Sequence, residues 1–416
     1  MTRLLEGAHN TRTPLDAHEA RFGSSANLSI SLADLSASGL TGHGGAGVPT
    51  HLKVAFLRQQ SRGVGYVVVN AMEGEPASQK DRTLLLNNPH LVLDGAMVLA
   101  NLLDADSVLV CVPRNSKDVA IAVNAAIAER GSRKLRGPSF ELFTPPDRFI
   151  GGEESALVSW LDSRNALPTF RPEKPSLLRI GRRGVLVDNA ETHAHVGLIA
   201  RRGPDWFRQV GTPEQPGTAL VTVSGNGAPK ILEVPYGTPI EQILSGAGVS
   251  GSISGVLVGG FGGSWISGRD LATPFDNHSL KSVGASVGAG ILVALGPTSC
   301  GIAETARIAD YMARESARQC GPCAFGLPAI ADDLASLRVG RGGRQVLKRI
   351  LERCGQVDGR GACRHPDGTV RMVRSALSVF ATDAAAHADG RPCLHATGAR
   401  LMPIPHATSA EDLEWS

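Results

Sequence analysis

The sequence predicts a multidomain α/β chain with a β-rich middle and a helical end, and three patterns carry that expectation. Strand-like and helix-like stretches alternate through the first third. Short strands between Gly/Pro turns follow Gly217, and a 3.6-residue apolar rhythm takes over from Ala303. The length, 416 residues, accommodates two to four domains at about 150 residues each.

Taken in order, residues 66–70 and 107–112 are short β-branched runs of the buried-strand type. Residues 84–103 are apolar at helical spacing, and residues 119–130 form an alanine-rich helix. Strand and helix in alternation imply a mostly parallel sheet. Residues 168–183, with Pro168, Pro172 and Pro175, read as an extended crossing segment. Strands follow at 219–224, 230–234 and 256–258, with one short helix at 240–245, as in a small α+β unit. Helices are expected at 304–318, 327–337, 344–354 and 370–387, and a loose tail from about 396.

Composition excludes several classes. Apolar residues make up 42% and charged residues 19%, a globular balance. The net charge of +3 lacks the basic excess of a phosphate-tracking protein, so nucleic acid is not the expected partner. The start of the chain has no apolar core of a secretory signal. The uncharged stretches 242–268 and 282–303 are nominally long enough for a bilayer, but glycine, serine and Pro297 break them, so buried strands and turns are expected. Seven cysteines, few and odd in number, suit a metal or redox role in the cytoplasm better than a disulfide framework. Cys111 and Cys300 lie on apolar stretches and read as small core residues, while Cys354 and Cys393 are ambiguous. The 49 glycines exceed the typical ~7% and imply close approaches of backbone to ligand.

Five motifs stand out. The first spans residues 40–53, where Gly42, Gly44, Gly45 and Gly47 precede a helix expected after Pro49. Glycines let backbone N–H groups converge on an anion, and Lys53, one turn on, adds a full charge. The spacing fits neither a Walker A loop nor a G-x-G-x-x-G turn, and the plain alternative is a glycine-rich loop without a ligand. The second is Asn70-Ala-Met-Glu-Gly-Glu-Pro76, just past a strand's carboxyl end, where α/β sheets bind ligands; a solvated acidic turn is its alternative. The third, residues 149–155, and the fourth, residues 188–192, are each explained when taken alone by helix capping and acids at a helix start. The fifth is Cys320-Gly-Pro-Cys323, expected at the end of a helix, with Cys363 forty residues later. It suits Fe–S or zinc ligation, or a redox-active pair.

In this order the motifs resemble the NADH-binding flavoprotein subunit of respiratory complex I, which recurs in NAD-linked hydrogenases and formate dehydrogenases. The likeness runs from about residue 38 to 387. Its flavin loop G-R-G-G-A-G-F-P-T-G-x-K matches residues 42–53, and N-A-D-E-x-E-P-G…K-D-R matches residues 70–82. Y-I-C-G-E-E-T-A-L matches residues 149–157, N-N-V-E-T matches residues 188–192, and E-S-C-G-K-C-T-P-C resembles residues 315–323. The resemblance implies a Rossmann-like FMN domain (1–215), a ubiquitin-like β-grasp domain of the SLBB type (216–300), a helical bundle with the iron–sulfur cysteines (301–395), and a tail (396–416).

It further implies that Gly42, His43, Gly44, Gly45, Ala46 and Lys53 hold the FMN phosphate. Asn70, Glu73, Gly152, Glu153, Asp188, Asn189 and Thr192 would line the flavin, and Phe56 would stack on the nucleotide. Glu75 and Glu154 would border the nicotinamide as the catalytic candidates, and Cys320, Cys323 and Cys363 would ligate the cluster. Electrons would pass from NADH or NADPH to FMN, to the cluster, and on to a ferredoxin-like or other iron–sulfur partner. The setting would be the cytoplasm, or the periphery of a membrane complex. Departures qualify the match. The first cluster cysteine is Ala317, so the cluster is [4Fe–4S] with a substitute ligand, or [3Fe–4S], or absent; Ser316 and His365 are the nearby candidates. The loop phenylalanine is Val48, a third stacking position falls near Lys174, and the family's tyrosine, aspartate and arginine are Phe149, Met72 and His43. Two alternatives stay open: an FMN protein that no longer binds NADH, and a scaffold that keeps only the fold.

Overall fold

The computed structural model describes residues 2–7, 11–133, 137–170, 177–225, 227–398, 400–405 and 415. Among the described residues there are two five-stranded sheets, the first flanked by helices, and a terminal set of helices. The first sheet holds β1 (Val64–Asn70), β2 (Ser107–Cys111), β3 (Ser139–Phe143), β4 (Leu178–Ile180) and β5 (Arg183–Asn189) in the order β3-β2-β1-β5-β4. All neighbours are parallel except β4 on β5. Alternate residues of β1 feed two cores. Val67 and Val69 pack with the helices Pro89–Leu102 and Ala190–Arg202, while Val68 packs with Leu157 and Val158 of the helix Glu154–Ser163. Burial on both faces explains why the strand is a continuous valine run rather than an alternating one.

Strand order reverses between β1 and β5, which pair from Val64 to Asn70 and from Gly184 to Asn189. A crevice opens at the carboxyl ends of such a pair, and this is where open α/β sheets bind ligands. Asn70 and Asn189 face each other across it in register.

The second sheet holds β6 (Thr218–Gly225), β7 (Gly227–Pro235), β8 (Gly255–Val258), β9 (Ser264–Ser267) and β10 (Ile291–Leu295) in the order β7-β6-β10-β8-β9. Only β10 on β6 is parallel. Val256 and Val258 pack beneath the helix Ile240–Gly246, and Leu257 and Trp265 pack on the opposite side against the C-terminal helices. Those helices are Gly301–Arg314, Leu327–Arg338, Gly343–Val357, His365–Val379 and Ala381–Ala388.

Three expectations need correction. The helix expected over 84–103 is two, Lys80–Asn87 and Pro89–Leu102, because Pro89 lacks the N–H to continue the first and sits at the start of the second. The helix expected over 370–387 breaks at Phe380. Cys320-Gly-Pro-Cys323 does not end a helix. The helix expected there stops at Arg314, and the motif opens a wide π-type turn, Pro322–Gly326, that runs into Leu327–Arg338. Pro172, Lys174, Pro175 and Arg171 lie outside the described residues. Among the described residues no helix is long and apolar enough to cross a membrane.

Candidate functional site

A cleft of about 380 Å³ opens at the carboxyl ends of β1 and β5. Its wall includes Gly44 and Gly45, then Asn70, Glu73 and Glu75, then Gly152, Glu153 and Asn189. Four of the five motifs therefore contribute to this wall, and the fifth reaches the cleft through Cys363. Loops of the second sheet, Gly259 to Gly263 and Ser286 to Ala289, form the facing wall, with Cys363 and His365 at the end nearest the helices. A second cleft of about 320 Å³ lies beyond Glu73, Gly74 and Glu75 and shares them, with Ser78 and Phe149, as a common wall.

The glycine loop is pinned at its base. Gly42 N donates to Val48 O at 2.9 Å, and Thr50 N to Leu40 O at 3.0 Å. The Thr192 hydroxyl accepts from His43 N at 2.9 Å, so the start of the helix Ala190–Arg202 fixes the loop's crown. Gly45 and Gly47 have φ of 93° and 62°, which require glycine. Gly42 and Gly44 are not so forced, and a Cβ there would meet protein no closer than 3.5 Å and 3.6 Å. Packing does not exclude a side chain at Gly44; the open cleft in front of it does, if a ligand's atoms approach that backbone. This is the cradle a flavin phosphate requires.

Polar side chains at the strand ends form one network. Asn70 Nδ2 donates to Gly152 O at 2.8 Å, and Asn189 Nδ2 to Asn70 O at 3.2 Å. Lys80, buried, donates to Asn189 Oδ1 at 2.8 Å and pairs with Asp81 and Glu191 at 2.9 Å and 3.0 Å. Burial opposes its charge, but the two carboxylates prevail and hold the ammonium above its ordinary pKa. Glu191, though desolvated, is held well below the carboxylate range by His43 and Lys80. His43 Nδ1 lies 3.0 Å from Glu191, so its ring turns under the loop toward that carboxylate.

The two glutamates of the second motif differ. Glu73 sits at φ 41°, strained for a side-chain-bearing residue, and caps the helix Lys80–Asn87 by accepting from Asp81 N and Arg82 N, both at 2.9 Å. Burial, then Asp81, pushes its carboxyl up to about 7. Glu75 Oε2 accepts from Phe261 N at 2.8 Å, while Oε1 has no hydrogen-bond partner among the described residues. Burial pushes Glu75 up to about 8, which leaves it protonated near neutral pH.

Other expected residues stand behind the wall. Lys53 Nζ is taken up by Glu154 (2.7 Å), Val187 O (2.9 Å) and Asp188 (2.9 Å). The lysine is thereby paired with two protein carboxylates. Glu153 caps the helix Glu154–Ser163 through Ser155 N (2.9 Å) and Ala156 N (3.0 Å) while still lining the cleft. Phe56 packs half-buried against the core around β1. Ala46 belongs to the loop but does not line the cleft, as is true of Lys53, Phe56, Glu154 and Asp188.

Cys320, Cys323 and Cys363 come together from the π-type turn and the residues just before His365–Val379. Burial, with the neighbouring Cys320 and Cys363 thiols, pushes Cys323 up to about 12. Their ligand atoms do not form one of the tight groups, within 4.8 Å, that suit a single ion. Near Ala317 the two candidate substitutes differ. Ser316 Oγ donates to Ala313 O at 2.9 Å. His365 Nε2 faces Met312 O at 2.8 Å, so Nε2 carries the proton, and Nδ1, buried, has no partner among the described residues. Phe149 bridges the regions: its ring meets Tyr311 and His365 edge-on, and its N–H donates to Glu315 at 3.1 Å.

Sequence reasoning missed Lys80 and Glu191 as network members, and Gly259-Gly-Phe-Gly-Gly263 as a wall. The glycine run was legible, but nothing local tied it to a site 190 residues away.

Residues 35–198 match the family model described as the Nuo51 FMN-binding domain, and residues 303–387 match the NADH-ubiquinone oxidoreductase-F iron-sulfur binding region. An NADH-quinone oxidoreductase subunit of Streptomyces coelicolor is 28% identical over 395 residues, 90% of this chain and 88% of that one. Its counterpart in Buchnera aphidicola subsp. Schizaphis graminum is 31% identical over 363 residues, 82% of this chain and 80% of that one. The crystal structure of a NAD+-reducing [NiFe]-hydrogenase in the H2-reduced state superposes with a TM-score of 0.81 at 26% identity. It covers 93% of this chain, which spans 66% of that one.

Proposed function

The chain belongs to the NADH-quinone oxidoreductase family of FMN- and iron–sulfur-binding subunits, and from that premise we propose an electron-transfer protein that accepts electrons from NADH or NADPH and passes them to a ferredoxin-like or other iron–sulfur partner. When bound, FMN supplies the exchange between a two-electron hydride donor and one-electron acceptors. Everything else is the work of this chain's residues.

The glycine loop presents backbone N–H groups to the phosphate, and the open space before Gly44 is the observation that carries this reading. Asn70, Glu73, Gly152, Glu153 and Asn189 line the flavin's polar edge, with His43 and Thr192 holding the loop in place. Glu75 borders the nicotinamide and keeps a proton at Oε1 or Oε2, so it can donate a hydrogen bond where a carboxylate would only accept. Glu154 and Asp188 act through Lys53, orienting the wall rather than touching ligand. Cys320, Cys323 and Cys363 hold the cluster. Two side chains stand beside the thiols as candidate fourth ligands in place of the cysteine missing at Ala317: Ser316, whose hydroxyl also bonds the Cys323 thiol, and His365, which is favoured because its unpartnered Nδ1 is the softer donor.

We read residues 1–215 as the Rossmann-like FMN domain, 216–300 as an SLBB-type β-grasp domain and 301–395 as the cluster-bearing bundle. The second sheet supports the middle assignment: its first and last strands are parallel neighbours, with a helix between its second and third strands. A cytoplasmic site of action accompanies this reading.

Gly44→Val tests it. The Cβ that the substitution adds meets only Asn189 Cβ, at 3.6 Å, so the fold is expected to persist. Flavin affinity is expected to fall by at least about tenfold, roughly 1.4 kcal/mol. Unchanged flavin content in a folded variant would contradict the loop's role.

A further inference from the structure

A second set of soft ligands lies among the C-terminal helices, apart from the three cluster cysteines. Cys300 Sγ, His387 Nε2 and Cys393 Sγ all lie within 4.8 Å of one another. Cys300 is buried in the core, as expected, and its thiol also caps the helix Gly301–Arg314, accepting from Ala303 N at 3.3 Å, and sits 3.7 Å from His387 Nε2. Cys111 and Cys354 are likewise buried among apolar side chains, but neither belongs to a ligand group of this kind among the described residues.

The imidazole's tautomer is set. His387 Nδ1 lies 3.3 Å from Leu337 O, an acceptor only, so Nδ1 carries the proton. The Nε2 lone pair then points at the two sulfurs and at Cys393 N, which donates to it at 3.2 Å. A ring N–H held by a backbone carbonyl, with the other nitrogen turned toward thiols, is the outer support that metal-ligating histidines carry. His387 is fully buried, so this orientation is fixed by packing rather than by solvent.

We propose that Cys300, His387 and Cys393 form a zinc site distinct from the iron–sulfur cysteines. Two thiolates and an imidazole suit zinc by softness and number, with the fourth position left to water or an external ligand. Cys393 is only half-buried, so the metal enters from its side. On binding, each thiol gives up its proton to solvent, and the long contact from Cys393 N to Nε2 gives way to the metal bond. The site joins the segment before the first C-terminal helix to the turn after the last one. Zinc would therefore clasp the first and last C-terminal helices, and the segments that carry the cluster cysteines lie between them in the chain.

The test uses the full chain, purified with its cofactors from zinc-supplemented growth. Elemental analysis is expected to give about one zinc per chain besides iron. Zinc-edge absorption is expected to give two sulfurs at about 2.3 Å and one imidazole nitrogen at about 2.0–2.1 Å. Cys393→Ser should lose the zinc and keep flavin and iron, whereas Cys320→Ser with Cys323→Ser should lose iron and keep the zinc. Should Cys393→Ser fail to fold, the absorption spectrum of the unsubstituted protein decides by its ligand count. Absence of zinc from the folded protein, zinc lost only with Cys320 and Cys323, or a Cys300–Cys393 disulfide found by mass in its place would each overturn the proposal.

Discussion

Glu75 concentrates the electrostatics of the site in one side chain. Its Oε2 is satisfied by Phe261 N, its Oε1 is bare, and burial raises it to about 8, against an unfolded value near 4.3. The folded protein therefore holds a proton that the unfolded chain has lost. This contribution is complete below about pH 4.3 and is lost as pH rises through about 8. Below about pH 7 the buried histidines His18, His90, His193, His195 and His365, held below their ordinary pKa, gain stability as pH rises and oppose this loss, so the thermal midpoint of the cofactor-free protein should fall between about pH 7 and pH 8, and Glu75→Gln should flatten that fall. Asp94 and Glu129 are shifted the other way, below the carboxylate range, so they are silent in this window. Glu73, raised to about 7, leaves a residual slope. Equal slopes in the two proteins would contradict the buried-proton account. His365 is the other residue-scale prediction. His365→Gln should shift the cluster's electron paramagnetic signature toward a three-iron species without changing flavin content. An unaltered spectrum would leave the fourth ligand elsewhere. Both residues were legible in the sequence as candidates, but only the fold supplies the facts that distinguish them: a bare Oε1, and a histidine whose other nitrogen is already engaged.

At the scale of elements, the site depends on how two helices meet. Pro89–Leu102 and Ala190–Arg202 pack at Gly95 and Gly197, where a Cβ on Gly95 would stand 1.7 Å from His193 O. The second of these helices carries Asn189 at its cap and Thr192 in its first turn, so its position sets both the cleft wall and the loop's crown. Gly95→Ala should force the helices apart and cost at least about 1–3 kcal/mol, as overpacked cores do. Denaturant unfolding measures the loss, and flavin content should fall with it. Retained stability would mean the contact relaxes freely. The sequence made both helices legible through their apolar rhythm, and the strand–helix alternation announced the parallel sheet. It did not show that Pro89 splits the first helix from its predecessor, or that β3, β4, β5 and β9 exist. β3, β4 and β9 are short and lie at sheet edges, where local preference is weak and pairing decides, and the short Val185–Val187 run of β5 leads straight into a helix cap.

Across the whole molecule, the cleft is a joint between units. The first sheet supplies the glycine loop and strand ends, the second supplies Gly259 to Gly263 and Ser286 to Ala289, and the helices supply Cys363 and His365. Arg148, buried, pairs with Glu315 at 3.0 Å and so ties the turn before Glu153 to the segment that opens the cluster motif. Motifs far apart in sequence converge here because strand order places β1 beside β5, a pairing no local pattern encodes. One cleft is proposed to hold the flavin and to pass its electrons to the iron–sulfur cluster that Cys320, Cys323 and Cys363 would hold beside its far end. Anaerobic titration of the purified protein with NADH, with flavin, iron and acid-labile sulfide quantified beforehand, tests it most directly. The account predicts about one flavin per chain, bleached by NADH, followed by reduction of the iron centre. Flavin that NADH leaves unbleached, or a protein that takes up neither flavin nor iron after reconstitution, would contradict it.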